Sequence, residues 1–237
     1  MRSKTALEDL RGRLRAAAEP ERAEALRRFF KTGPGEYGEG DVFLGVPVPA
    51  ARKITRRFDD LAEADVLELL RSPVHEERFV ALVMLVRRYE RRDGAVRDRI
   101  YETYLENTAW IDNWDLVDVS APHVVGAHLL GRDRMILDRL ARSSSLWERR
   151  ISIMATFAFI RAGDLDDTFR LARVLLRDDQ DLIHKATGWM LREAGKRDER
   201  RLIDFLEEHA PEMPRTMLRY AVERLDPGTR KRLMNAG

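Results

Sequence analysis

Trp110, Trp114 and Asp118 stand four residues apart in the segment NTAWIDNWDLVDVSAPHVVGAHLL, which runs from Asn107 to Leu130. Successive i, i+4 positions of an α-helix drift by only about 40°, so a helix here carries indole, indole and carboxylate in one stripe. Asp112 and Asp115 are expected on other faces, with Asp112 near the helix start, where a carboxylate meets the positive end of the peptide dipole. Pro122 breaks or restarts the helix and leaves Asp118 near a helix end. A tryptophan alone at helical spacing is ordinarily core filling, and an aspartate alone is ordinarily solvated. A ring and an acid on one stripe do not both suit a dry core. They suit a cationic, planar ligand: the rings stack on the cation and the carboxylate opposes its charge.

The elements that must hold this stripe are helices. Leu7, Leu10 and Leu14 recur at helical spacing, with Thr5 as an expected N-cap. Pro20 suits the first position of a second helix. One long irregular stretch follows, TGPGEYGEGDVFLGVPVPAARK, whose five glycines and three prolines mark a loop. Helical patterning returns near Pro49 and continues to the end with short breaks. The fold class is therefore all-α, and residues 1–237 read as one domain.

A soft period runs through it. Segments beginning at His75, Leu146, Asp181 and Met213 each place a basic residue near the start and an apolar run after it. The basic residues are Arg78, Arg150, Lys185 and Arg215, and the missing member of the series coincides with the quoted stretch. Helix pairs repeating at thirty to forty residues are the mark of a HEAT-like solenoid, a superhelix of antiparallel helix pairs with a concave binding face. On such a scaffold the four cations form a row that could track a phosphate backbone. The competing reading is four ordinary solvated helix starts.

Composition excludes several chemistries. The chain has 237 residues and no cysteine, so disulfides, zinc–thiolate sites and cysteine nucleophiles are out. The start carries charges and no apolar run, unlike a signal peptide, and the longest apolar run, FVALVMLV, is far short of the ~20 residues that span a bilayer. The expectation is a cytoplasmic protein with no membrane partner. A net charge of +2 neither requires nor forbids a nucleic acid. Arginine far outnumbers lysine, which fits a GC-rich genome or a surface that grips phosphates through forked guanidinium groups. His123 and His128 lack partner ligands, so no metal is expected. The glycine-rich loop lacks the lysine and hydroxyl of a phosphate-binding loop. The run from Arg87 to Arg99 reads as solvated helix ends.

The segments NWDLVDVSAPHVVG, WERRISIM and IHKATGWMLREAGKRD, in that order, resemble the AlkD-type DNA alkylation repair glycosylases, a family of HEAT-like helical repeats. YGEGDVFLGVPVPAARKI is similar to that family's N-terminal segment, and the likeness covers roughly residues 20 to 225. The resemblance implies hydrolysis of the N-glycosidic bond of purines made cationic by alkylation at N3 or N7, in duplex DNA and without a cofactor. It implies Asp118 as the catalytic carboxylate, Trp114 and Trp189 as lesion or sugar contacts, and Arg150 as a phosphate contact; the period, and not the resemblance, adds Lys185, Arg78 and Arg215 as phosphate contacts. Some relatives carry a glutamine where Gly40 stands, which leaves Tyr37, Asp41 and Phe43 as expected residues of the cleft edge. A monomer is expected. Two other readings stay open: a DNA-binding paralogue without hydrolysis, and a solenoid that binds proteins.

Overall fold

The computed structural model describes residues 2–236. Among them the chain is all-helical, apart from an isolated parallel bridge between Val42 and Val74. It packs as two compact units, one ending at Ser120 and one beginning at Ala121.

The first unit holds α1 (Arg2–Ala16), α2 (Pro20–Phe29), α3 (Val48–Thr55), α4 (Glu63–Leu70), α5 (His75–Arg91), α6 (Gly94–Glu106) and α7 (Trp114–Ser120). Leu7, Leu10 and Leu14 are buried on one side of α1, as their spacing predicts, but Thr5 lies inside that helix and does not cap it. α5 is the centre of the unit and packs against α3, α4, α6 and α7. Its FVALVMLV run is apolar all round and buried all round. Even its charged first turn is buried, and this fixes the glycine-rich loop. The Glu76 carboxylate accepts the backbone N–H groups of Leu44, Gly45 and Val46 at 3.0, 2.7 and 3.1 Å. Three converging N–H groups form an anion cradle, and the chain fills it with its own acid. Gly45, at φ +83°, has no room for a Cβ, because the Glu19 carbonyl lies there.

α7 begins one turn later than the stripe requires. The Asn113 side-chain oxygen accepts the Trp114 N–H at 2.8 Å, and the Asn113 carbonyl accepts from Val117 at 3.1 Å. A side chain that takes an orphan N–H competes with helix propagation and starts the helix at itself. Trp110 therefore sits in a separate 3₁₀ turn, Thr108–Trp110, and is 39% exposed. The indole–indole–carboxylate stripe contracts to Trp114 and Asp118.

The second unit opens with a π-helical turn, Pro122–Gly126, where the sequence predicts a break. It continues through α8 (Ala127–Leu129), α9 (Met135–Ala141), α10 (Leu146–Arg161), α11 (Asp166–Leu175), α12 (Asp181–Gly195), α13 (Glu199–His209), α14 (Arg215–Ala221) and α15 (Pro227–Ala236). α10, α12 and α14 lie side by side; α9 and α11 pack on α10, and α13 packs on α12. The recurrent basic residues Arg150, Lys185 and Arg215 stand at the starts of α10, α12 and α14, so the soft period is the repeat of this layer. Its close packing depends on small residues. A Cβ at Gly188 would collide with the Met217 carbonyl oxygen of α14. Gly188→Ala is expected to lower the stability of the fold by about 1–3 kcal/mol, the usual range for overpacking. Urea unfolding checks this: the midpoint should fall with the slope unchanged.

Candidate functional site

α7 buries Leu116, Val117 and Ser120 and turns Trp114, Asp115 and Asp118 to its other side. Asp115 thus lies within about 60° of Asp118 and not on a separate face. Tyr104 of α6 holds the helix in place through a 2.9 Å hydrogen bond with the Ser120 hydroxyl. Burial pushes the Tyr104 phenol well above its ordinary range, and the charge of nearby Asp118 pushes the same way.

The Trp114 ring is half-buried in a cluster of rings. It stacks on Phe30 at 5.3 Å and meets the edge of Phe29 at 5.9 Å. Phe30 stacks on Phe43 at 5.1 Å, and Phe43 stacks on the His75 imidazole at 4.5 Å. With Val46, Val48 and Phe79 these rings line a cavity of about 230 Å³. Phe29 and Val48, two exposed apolar side chains, border it, so it opens to solvent.

His75 forms the polar floor. Its Nδ1 lies 3.1 Å from Asp41 Oδ2, and its Nε2 lies 2.9 Å from Asp115 Oδ2. Two carboxylate oxygens facing two ring nitrogens require an imidazolium, because a neutral ring has one N–H to give. Burial pulls the His75 pKa down, but hydrogen bonds to Asp115 and Asp41, with their charges, outweigh it and raise the pKa to about 9. Burial likewise opposes ionisation of Asp41, yet the His75 bond and the Arg78 charge hold its carboxyl below the usual range. Asn113 adds a donor to Asp41 at 3.0 Å. The result is a bridge from the glycine-rich loop through α5 to the first turn of α7.

The structure corrects several expectations. Arg78 is 3% exposed: its guanidinium donates to Asp41 and to the Ser72 carbonyl and lies 3.1 Å from Asp112. It belongs to the bridge and is closed to a phosphate. Arg150 is 4% exposed and donates to the Leu182 carbonyl at 2.6 Å, so it braces α10 on α12 and is no surface cation. Lys185 pairs with Asp181 at 2.7 Å, and Arg215 donates to the Met234 carbonyl; Arg215 is exposed. Trp189 is half-buried, lies 6.3 Å from Phe157, and donates its indole N–H to Glu193 at 3.2 Å. It falls one turn beyond Lys185 on α12, so these two share a face. Asp41 and Phe43 are buried and form the interior of the ring cluster, not a cleft edge. Among the described residues no group of three or more His, Cys, Asp or Glu is placed to hold a metal ion, and no helix is long and apolar enough to cross a membrane.

The residues that sequence reasoning missed are Phe29, Phe30 and His75, while Asp41 was expected at a cleft edge and Asp115 on another face of the helix. His75 is separated from its two acids by 34 and 40 residues, so no local motif announces them. The adjacent rings of Phe29 and Phe30 at the end of α2 were the available signal.

Fold and site define an all-helical protein with a layered helix repeat and an acid beside clustered rings. The sequence profile of the family described as DNA alkylation repair enzyme matches residues 10–225, and the chain belongs to that family. A solved structure of a predicted DNA alkylation repair enzyme from Enterococcus faecalis is similar in fold. It shares 16% identity at a TM-score of 0.69, over 89% of this chain and 97% of that one. No curated protein matches the chain at a significant level.

Proposed function

We propose that the protein is a DNA glycosylase that hydrolyses the N-glycosidic bond of cationic N3- or N7-alkylated purines in duplex DNA. The observation that carries this reading is the half-buried Asp118, one turn along α7 from the Trp114 ring, in a chain of the alkylation repair family. An alkylated purine is already positive. Its glycosidic electron pair departs with the base, which leaves neutral, so no general acid is required. The barrier lies in the positive charge that develops at the sugar. A carboxylate fixed beside that carbon stabilises the charge, and it can accept a proton from the water that forms the new C–O bond. One acid then suffices, unlike the pair used on ordinary glycosides. Trp114 supplies a ring face to the lesion or its sugar. Lys185 and Arg215 are the members of the row that remain for phosphate contact; an exposed pair such as Lys185–Asp181 is worth about 1 kcal/mol or less and yields readily to a phosphate.

Incubation with duplex carrying N7-methylguanine is expected to yield free N7-methylguanine and abasic sites, with unmodified guanine untouched. Tight binding of the duplex without release would favour a non-catalytic DNA-binding protein instead.

A further inference from the structure

With Arg78 and Arg150 buried, the predicted row lacks two of its cations, and the first unit presents a different set. The segment RKITRR holds Arg52, Lys53, Arg56 and Arg57, all exposed, on α3 and the turn that ends it. The opposite side of α3 is buried at Ala51 and Thr55, and the Thr55 hydroxyl bonds back to the Ala51 carbonyl at 2.8 Å. Arg52 and Lys53 lie in the last turn of α3, and Arg56 and Arg57 follow each of them by four residues in the turn that ends it, so the four cations gather at the C-terminal end of the helix.

Among the described residues none of the four pairs with a carboxylate. Nearby cations are treated differently: Arg11 pairs with Glu68 and Glu77, Arg13 with Asp9, and Arg87 and Arg91 with Asp59. Asp59, the acid next in sequence, is thus already engaged, and Asp60 is exposed. Like charges at i, i+4 repel by a few tenths of a kcal/mol, and the helix C-terminus offsets part of this. A second observation stands apart from charge. Arg13, Lys53 and Arg57 line a depression of about 300 Å³ whose floor includes Ala16, Ala17 and Ala50. Cationic walls over a floor of alanines admit a tetrahedral anion and the sugar attached to it. The cluster is also continuous with the site described above, since Arg52 lies 5.7 Å from the Phe79 ring that lines the Trp114 cavity.

We propose that the exposed C-terminal end of α3 is a phosphodiester-binding site for duplex DNA, with Arg52, Lys53, Arg56 and Arg57 as its contacts. The inference rests on the reading of the chain as a protein that acts on DNA. Cations gathered at one helix end match successive phosphates of one strand, and each phosphate neutralised releases counterions.

The test is binding of an undamaged duplex by the full chain across a series of salt concentrations. Lys53→Ala with Arg57→Ala, and Arg52→Ala with Arg56→Ala, are compared with Arg92→Ala with Arg99→Ala, which removes two exposed cations elsewhere in the unit. Each α3 pair is expected to weaken binding about tenfold at 0.1 M salt and to flatten the slope of log K against log salt by roughly 1–2, at about 0.9 per phosphate contact. The control pair should change affinity less than twofold, and all three should melt with the wild type. Equal losses in the control, or α3 variants that keep the full salt slope, would overturn the proposal. So would loss of binding to phosphatidylserine vesicles with duplex affinity intact. A wild type that binds no duplex in a salt-sensitive way would instead remove the DNA reading itself.

Discussion

Asp118→Asn is expected to slow release of N7-methylguanine by about a hundred- to a thousandfold, the usual effect of removing one preorganised electrostatic contact to a transition state. Duplex affinity should stay within about twofold. Asparagine keeps the shape and the hydrogen-bonding reach of aspartate but loses the charge, and only the developing sugar cation needs that charge. Asp118 is half-buried on the side of α7 opposite Leu116, Val117 and Ser120, so the substitution leaves the apolar face of the helix unchanged. Single-turnover release measured beside duplex binding separates the two effects. Equal release by both proteins would take the catalytic role away from Asp118.

The second large effect falls on stability. His75→Gln is expected to destabilise the fold by about 3–5 kcal/mol, the range for removing one partner of a buried ion pair. It leaves Asp41 buried beside Arg78 with one cation fewer and cuts the link to Asp115. The pH dependence has a definite sign. The His75 pKa is raised in the fold, from an ordinary 6.5 to about 9, so the folded protein holds the proton more tightly than the unfolded chain. The stabilisation is complete below pH 6.5 and is lost as pH rises through 9. Asp41, whose pKa is lowered, works the other way: its contribution is present above the ordinary carboxylate range and is lost toward acid. Urea unfolding at pH 6, 8 and 10 should show the wild type weakening with pH and His75→Gln losing most of that slope. Because the bridge ends at Asp115, in the first turn of α7, release of N7-methylguanine should weaken over the same alkaline range.

The helices were legible wherever a pattern is local. Leu7, Leu10 and Leu14 announce α1, the apolar run from Phe79 to Val86 announces the buried α5, and the cations at the starts of α10, α12 and α14 announce a repeat. The Trp114–Asp118 pair was legible for the same reason, since both lie within one turn of one helix. What failed is what depends on distant chain. Arg78 looks like a solvated helix start until Asp41 arrives from a glycine-rich loop to bury it. Trp110 looks continuous with Trp114 until Asn113, itself held by Asp41, caps the helix between them. His75 looks isolated because its two carboxylates come from two other segments. In each case a side chain from elsewhere overrides a local pattern that is correct on its own terms.

The measurement that bears most directly on the role of Asp118 is the affinity for duplexes carrying a cationic pyrrolidine in place of the lesion's sugar, compared with a neutral tetrahydrofuran. A protein that stabilises a positive sugar should bind the pyrrolidine duplex at least about a hundredfold more tightly, and Asp118→Asn should abolish the difference. Equal affinity of the wild type for the two duplexes, or a preference that survives in Asp118→Asn, would contradict the account.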